Sequence, residues 1–146
     1  MNRLILTAVS LAALSLGGCA TSSAAHAHSP VASFGGLAVR AMTLPVVTAE
    51  GEPREVQVLV DEPALKLVRI VLRRGTVLPA HSAAVAVTLV ALQGTGVVVV
   101  GQERLPFDPT HAVALAPNVS HAVEPEAGTE LVILVHHLGR GPEHSH

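Results

Sequence analysis

The sequence predicts an all-β domain that closes into a barrel or a jelly roll. Between about residues 37 and 139, apolar residues come in short β-branched runs. Gly, Pro and acidic residues separate these runs at regular intervals, which is the pattern of many short strands. No segment after residue 18 combines a helical apolar period with a helix-start signal. Strands this numerous and apolar must close or stack to cover their edges.

The strands can be assigned in order along the chain. In EVQVLV, Val56, Val58 and Val60 alternate with polar or apolar neighbours, and a period of two puts the three valines on one face. The run LKLVRIVLRR follows as a longer strand that ends at Gly75. The remaining strands are predicted in HSAAVAVTLVALQG, VVVVG, RLPF, HAVALAP, HAVEP and TELVILVHHLG. With no internal repeat, one domain over residues 37–139 is expected.

The first 18 residues have the pattern of a signal peptide. Arg3 supplies the positive charge, and the apolar run that follows is shorter than the roughly 20 residues needed to span a bilayer. The sequence Leu-Gly-Gly-Cys ending at Cys19 resembles the lipobox of bacterial lipoproteins, which implies that Cys19 is lipidated and becomes the mature N-terminus. Ala20 after the cysteine implies the outer membrane. We therefore expect an exported protein that is lipid-anchored on the periplasmic side.

Ordinary cleavage after Ala27 is the alternative, because residues 25–27 have the A-x-A form, although they lie far from the apolar run.

Residues 19–36 are small and polar and are predicted to form a flexible tether. Residues 140–146 form a histidine-bearing tail. The tether and tail histidines, spaced two apart, suggest weak binding of Zn, Cu or Ni and hence a periplasmic metal-handling role. These histidines are His26, His28, His144 and His146.

Composition excludes several classes of ligand. The formal net charge is −2 and the arginines are scattered, so no surface suited to nucleic acid is expected. The chain has two Phe and neither Trp nor Tyr, which disfavours base stacking and cation–π cages. Cys19 is the single cysteine, so no intrachain disulfide can form.

Two segments, RGTVLPAHSAAVAVTLVALQGTG and FDPTHAVALAPNVSHAV, resemble the motifs of the cupin superfamily. The first cupin motif is G-x5-H-x-H-x(3,4)-E-x6-G, and Gly75, His81 and Gly94 match its glycines and first histidine. This resemblance implies a small double-stranded β-helix barrel, which is a jelly roll. It also implies a possible homodimer, because cupins often pair through their sheets.

The second motif commonly ends in P-G-x-x-H and is matched by Pro117, Asn118 and His121. Asn118 stands in place of the usual glycine. This replacement costs little, because asparagine tolerates the left-handed backbone that such a turn requires.

The resemblance also implies a metal site, and the sequence departs from it. Cupins hold a divalent metal with His, His, Glu and His, and here those positions are His81, Ala83, Val87 and His121. Strand alternation is expected to turn residues 81, 83 and 87 into the barrel. Two imidazoles are too few for a stable site, so the metal site is predicted to be degenerate.

The leading hypothesis is a non-catalytic or weakly catalytic module that binds a small apolar or weakly polar molecule. Its pocket is predicted to be lined by Ala83, Val85, Val87 and Leu89, with His81 and His121 available as hydrogen-bonding groups. In a second reading both histidines are structural, satisfied by backbone or water.

A metal-dependent cupin enzyme, an oxygenase or isomerase using Fe, Mn, Ni or Zn, is the alternative. It would need one further histidine beside His81 and His121. The candidates are His111, His136 and His137, and of the last two only one can point inward, because strand neighbours alternate.

Overall fold

The computed structural model describes residues 39–139. The predicted signal peptide, the tether with Cys19 and the histidine-bearing tail lie outside these residues. Within residues 39–139, no helix is long and apolar enough to cross a bilayer.

The described residues form nine strands and no helix, which confirms the predicted all-β class. The strands are β1 (Arg54–Glu62), β2 (Leu65–Leu72), β3 (Leu78–His81), β4 (Val87–Gln93), β5 (Gly96–Val100), β6 (Glu103–Phe107), β7 (Ala112–Leu115), β8 (His121–Pro125) and β9 (Leu131–Leu138).

The strands build two antiparallel sheets that enclose one core. The five-stranded sheet has the order β1-β2-β9-β4-β7, and the four-stranded sheet has the order β3-β8-β5-β6. Leu72, Leu89 and Ile133 from the first sheet pack in one cluster with Val98 and Val123 from the second. Non-consecutive strands pair in both sheets, so the chain crosses repeatedly between them, as in a jelly roll.

The strand predicted over residues 81–94 is in fact broken. β3 ends at His81 in one sheet and β4 starts at Val87 in the other, so the intervening residues carry the chain across the core. The backbone N–H of Asn118 donates to the carbonyl of Ala83 at 2.7 Å and holds this crossing. Asn118 has a φ of 63°, the left-handed conformation expected for the residue at the usual glycine position.

The prediction that the three valines of β1 share one face holds for Val56 and Val58 and is wrong for Val60. The register of β1 against β2 shifts between Val58 and Val60, which marks a bulge. Val56 and Val58 lie opposite Ile70 and Val68, which face the barrel core, whereas Val60 belongs to a separate cluster with Leu59. An extra residue in one strand reverses the alternation beyond it, and sequence period alone cannot show this.

Residues 39–53 form no strand, and we call them the strap. Val47 of the strap packs against Val71 and Val132, which point away from the barrel core on β2 and β9. The Gln93 side chain fastens the strap, because its oxygen accepts from the Val47 N–H at 2.9 Å and its amide donates to the Val47 carbonyl at 2.7 Å. The strap therefore covers part of the outer face of the five-stranded sheet.

Candidate functional site

A cavity of about 110 Å³ lies between the two sheets. Its walls are mostly apolar and come from five strands and the crossing between β3 and β4. The apolar lining residues are Ile70, Leu78, Ala83, Val87, Leu89, Val123, Ile133 and Val135. The polar lining residues are His81, Ser82, His121 and His137. Ile70, Ile133, Val135 and His137 belong to β2 and β9, which lie outside the two motif segments, and of these four only His137 was a candidate from the sequence.

His81 and His121 face each other in the cavity wall. They are directly opposite in the pairing of β3 with β8, and their ring centroids lie 4.4 Å apart at an interplanar angle of 52°. His121 is only 4 % exposed, whereas His81 is open to solvent. The pairing of two strands thus brings together histidines that are 40 positions apart in the chain.

Backbone carbonyls fix which nitrogen of each ring carries hydrogen. Nδ1 of His81 lies 2.8 Å from the carbonyl oxygen of Pro79, and Nδ1 of His121 lies 3.0 Å from that of Val119. A carbonyl can only accept, so each Nδ1 must donate. In the neutral rings, Nε2 then keeps an unprotonated lone pair.

His137 completes a set of three imidazoles around the cavity. Leu131, Ile133 and Val135 belong to the barrel core, so alternation along β9 turns His137 inward as well. His136 points to the other side, where its Nδ1 is buried without a hydrogen-bond partner. The structure thus answers which of the two neighbouring histidines faces the interior.

Burial keeps the inner imidazoles neutral. Desolvation lowers the pKa of His121, the hydrogen bond to the Val119 carbonyl partly opposes this, and the charge of His81 lowers it further. Desolvation also lowers the pKa of His137, against a raising effect of the Lys66 carbonyl. Charges on Lys66, His81 and His121 lower it further. The lowered pKa values favour the neutral form of both rings at neutral pH.

Solved structures that superpose on this chain show its fold. A cupin superfamily protein from Desulfitobacterium hafniense superposes with a TM-score of 0.58 at 14% identity, covering 68% of this chain and 93% of that one. An RmlC-like cupin from Desulfovibrio desulfuricans gives 0.56 at 18% identity, with 66% and 95% covered. The domain has the cupin fold.

A third cupin, an RmlC-like protein from Shewanella frigidimarina, superposes with a TM-score of 0.54 at 17% identity, covering 61% of this chain and 78% of that one. No protein-family model matches the sequence, and no curated protein matches it. The fold predicted from the two sequence motifs is thus confirmed by the course of the chain, while sequence identity stays low throughout.

The cupin metal-ligand set does not fit the residues of this cavity. Ala83 and Val87 both line it, at the positions where cupins place the second His and the Glu, and neither can coordinate a metal. Among residues 39–139, no three His, Cys, Asp or Glu side chains lie close enough together to hold a metal ion. His81, His121 and His137 share the cavity without forming such a group, and no carboxylate lines it within the described part of the chain.

The predicted pocket residues divide between the cavity and a groove outside it. Ala83, Val87 and Leu89 line the cavity, whereas Val85 lines an open groove of about 310 Å³ at its mouth. Ala83 and His137 border both spaces, so the groove and the cavity adjoin. Ser82 also lines the cavity, contrary to the alternation expected beside His81, because the strand has already ended there.

Lys66 and Asp61 supply the charges of the outer groove. They lie on neighbouring strands, where the two residues are paired in the register of β1 against β2. A ligand whose apolar part fills the cavity would therefore meet charged groups only at its outer end.

His111 lies away from the cavity, on the turn between β6 and β7. Its Nδ1 is 2.9 Å from the Asp108 carboxylate, which also accepts from the Thr110 hydroxyl at 2.6 Å and the Thr110 N–H at 2.7 Å. Hydrogen bonds lower the pKa of Asp108 to about 2, with the largest effect from the Thr110 hydroxyl and the next largest from His111. This cluster closes a turn, and His111 does not line the cavity.

Proposed function

We propose that this chain is an exported, lipid-anchored protein whose cupin barrel binds a small molecule without a metal ion. The ligand has a compact apolar body and at least one hydrogen-bond donor, such as a hydroxyl group. In this role the barrel is a binding module, and chemical transformation of the ligand is not part of the proposal.

The arrangement of the two facing imidazoles carries this proposal. Each ring donates Nδ1–H to a backbone carbonyl, so Nε2 is the remaining ring nitrogen and acts as an acceptor. A single buried acceptor matched by a ligand donor contributes roughly 0.5–1.5 kcal/mol, and an unmatched one opposes binding. The cavity therefore selects apolar molecules that carry a donor over those that do not.

The chemistry of the cavity supports binding over catalysis. General acid–base catalysis by histidine works best when a carboxylate or a similar group orients the ring and stabilises its charged form. Within residues 39–139, the partners of His81 and His121 are neutral carbonyls, and no carboxylate lines the cavity. An imidazolium formed there would lack a counter-charge, which disfavours proton transfer to these rings.

Phenol and toluene test the proposal, because they have similar shapes and differ in the hydroxyl group. In protein with ¹⁵N-labelled histidine, kept in EDTA, phenol should shift the Nε2 resonance of His121, and toluene should shift it much less. Val87→Phe fills the cavity and should abolish the response, while Val56→Phe, at an exposed position on β1, should preserve it. Equal shifts with phenol and toluene, or none at millimolar phenol, would show that the rings are not ligand acceptors.

Export and lipidation have a separate test. Intact mass spectrometry of protein from the membrane fraction should find a mature chain that starts at a lipid-modified Cys19. The variant Cys19→Ala should leave the membrane fraction. An unmodified mature chain starting at His28 would instead support cleavage after Ala27 and refute the anchor.

A metal-dependent cupin enzyme is the second candidate, and the inward orientation of His137 is the observation that favours it. His137 lines the same cavity as His81 and His121, so a third imidazole is available there, and the three rings would have to move closer together to hold a metal ion. Elemental analysis of protein purified without chelator separates the two candidates. One equivalent of Fe, Mn, Ni or Zn that disappears in both His121→Ala and His137→Ala would favour the enzyme, whereas a metal-free protein supports the binding module.

The third hypothesis, metal handling by the terminal histidines, concerns residues outside the described range. It stays a prediction. The contribution of the tail to metal uptake can be measured by comparing the wild type with a variant in which His144 and His146 are replaced by Asn.

A further inference from the structure

A buried arginine lies on the outer face of the five-stranded sheet, opposite the barrel cavity. Val68 and Ile70 of β2 point into the barrel core, so Arg69 between them points outward. There it is covered in part by the strap, and only 7% of the residue is exposed. A guanidinium stays charged at any physiological pH, so this burial places a permanent positive charge in a largely dry environment.

Arg73, four residues further along the chain, shows how this protein accommodates a second buried guanidinium. Its Nε donates to the Thr48 carbonyl at 2.9 Å, and its Nη1 donates to the Glu52 carbonyl at 2.8 Å and to the Glu55 carboxylate at 2.7 Å. Arg73 is therefore neutralised by a carboxylate and held by several acceptors.

Arg69 has no comparable partners within residues 39–139. Its Nη2 donates to the Pro45 carbonyl at a long 3.3 Å, and its Nε is buried without any hydrogen-bond partner. The residues directly opposite it on β1 and β9 are Gln57 and Leu134, which carry no charge. A buried cation with one weak neutral contact is costly, and an anion beside it would remove that cost.

Space for such an anion exists next to Arg69. A crevice of about 80 Å³ lies between the strap and the sheet, and Arg69 and Gln93 are its polar lining residues. Its other walls are apolar and include Leu44, Val46 and Leu92, which are 37, 85 and 39% exposed. The crevice is therefore bordered by residues that reach solvent. The Gln93 amide already binds Val47 of the strap, which leaves Arg69 as the principal donor.

We propose that this crevice is a binding site for a short-chain monocarboxylate, independent of the barrel cavity. The carboxylate binds the Arg69 guanidinium, whose planar set of N–H groups matches two carboxylate oxygens. The short alkyl chain packs against Leu44, Val46 and Leu92. A single cation suits a single negative charge, and apolar walls suit an alkyl chain better than the additional oxygens of phosphate or sulfate.

Butyrate and butyramide test this assignment in the wild-type protein, because they share a shape and differ in charge. At constant ionic strength, butyrate at tens of millimolar should raise the midpoint of thermal unfolding and shift the backbone amide resonances of Val46 and Val47. Butyramide, chloride and sulfate should produce much smaller changes. No response to butyrate, or an equal response to butyramide, overturns the proposal.

Variants then assign the binding to Arg69. Arg69→Met should weaken butyrate binding by at least about tenfold, because it removes the charge-assisted hydrogen bonds. Arg69→Lys keeps the charge without the planar guanidinium and should bind butyrate with intermediate affinity. If the methionine variant fails to fold, the lysine variant still tests the assignment. Arg104→Met removes an exposed arginine from the other sheet and should leave butyrate binding unchanged. Unchanged affinity in both Arg69 variants overturns the assignment.

Discussion

Replacing His121 by asparagine should make the protein less sensitive to mild acid. The wild type should lose more unfolding free energy between pH 7 and pH 5.5 than the variant does. Desolvation lowers the pKa of the buried His121 ring below its ordinary value of 6.5, to which it returns when the chain unfolds. Below pH 6.5 the unfolded chain therefore binds a proton that the folded protein refuses. The stability that comes from the neutral His121 ring is fully present above pH 6.5. It is lost as the pH falls toward the pKa that His121 has in the folded protein.

The size of this effect has a ceiling set by proton linkage. If the folded ring stays neutral throughout, one histidine costs about 1.3 kcal/mol of unfolding free energy between pH 7 and pH 5.5. His121 should come closest to this ceiling, because it is only 4 % exposed. His137, whose pKa is also lowered by burial, is more accessible and should contribute less.

Urea unfolding at pH 7 and pH 5.5, in EDTA, measures the loss directly. The loss in His121→Asn should be smaller than in the wild type by up to about 1.3 kcal/mol. His111→Asn, which changes an exposed histidine on the β6–β7 turn, should not reduce it. If wild type and His121→Asn lose the same stability over this range, the buried neutral ring is not a source of the pH dependence, and the reasoning about the cavity is wrong.

Two further predictions concern the turn before β5 and the metal positions. Gly94→Ala should destabilise the protein by at least about 2 kcal/mol more than Gly101→Ala, as measured by urea unfolding. Both glycines have a positive φ, but a Cβ at Gly94 would collide with the carbonyl oxygen of Glu130, whereas one at Gly101 meets open space. The double variant Ala83→His with Val87→Glu places the cupin donor types beside the two native rings. It should bind one equivalent of Zn or Ni, as measured by calorimetry. If the variant binds no more metal than the wild type, positions 83 and 87 do not converge on His81 and His121.

The fold was predictable because two kinds of sequence signal agreed. Short β-branched runs between turn residues indicate many strands. The resemblance of Gly75, His81 and Gly94 to the first cupin motif implies that these strands close as a jelly roll. The bulge after Val58 and the break after His81 escaped prediction for one physical reason. Both are positions where the chain changes register or sheet, and an apolar run reads the same on either side of such a change.

The site was predictable only in part, because its third imidazole depends on the phase of one strand. His136 and His137 are equivalent in sequence, and their directions follow from Leu131, Ile133 and Val135 facing the core. The tautomers of the other two rings depend on backbone carbonyls that residue types cannot reveal. Arg69 had no sequence signal at all, since its burial results from the strap that crosses the sheet.

The residues at positions 83 and 87 determine more than the absence of two donors. A carboxylate at position 87 would offset positive charge inside the barrel, either on a metal ion or on a protonated imidazole. With Val87 in that place, a charged His121 would have to be buried without compensation, so the ring remains neutral. A neutral ring with Nδ1–H bound to a carbonyl presents an acceptor, and the best partner for a buried neutral acceptor is a neutral donor. We therefore propose that the cupin frame, which can surround a cation when it carries a carboxylate, binds in this chain an uncharged molecule with a hydroxyl group.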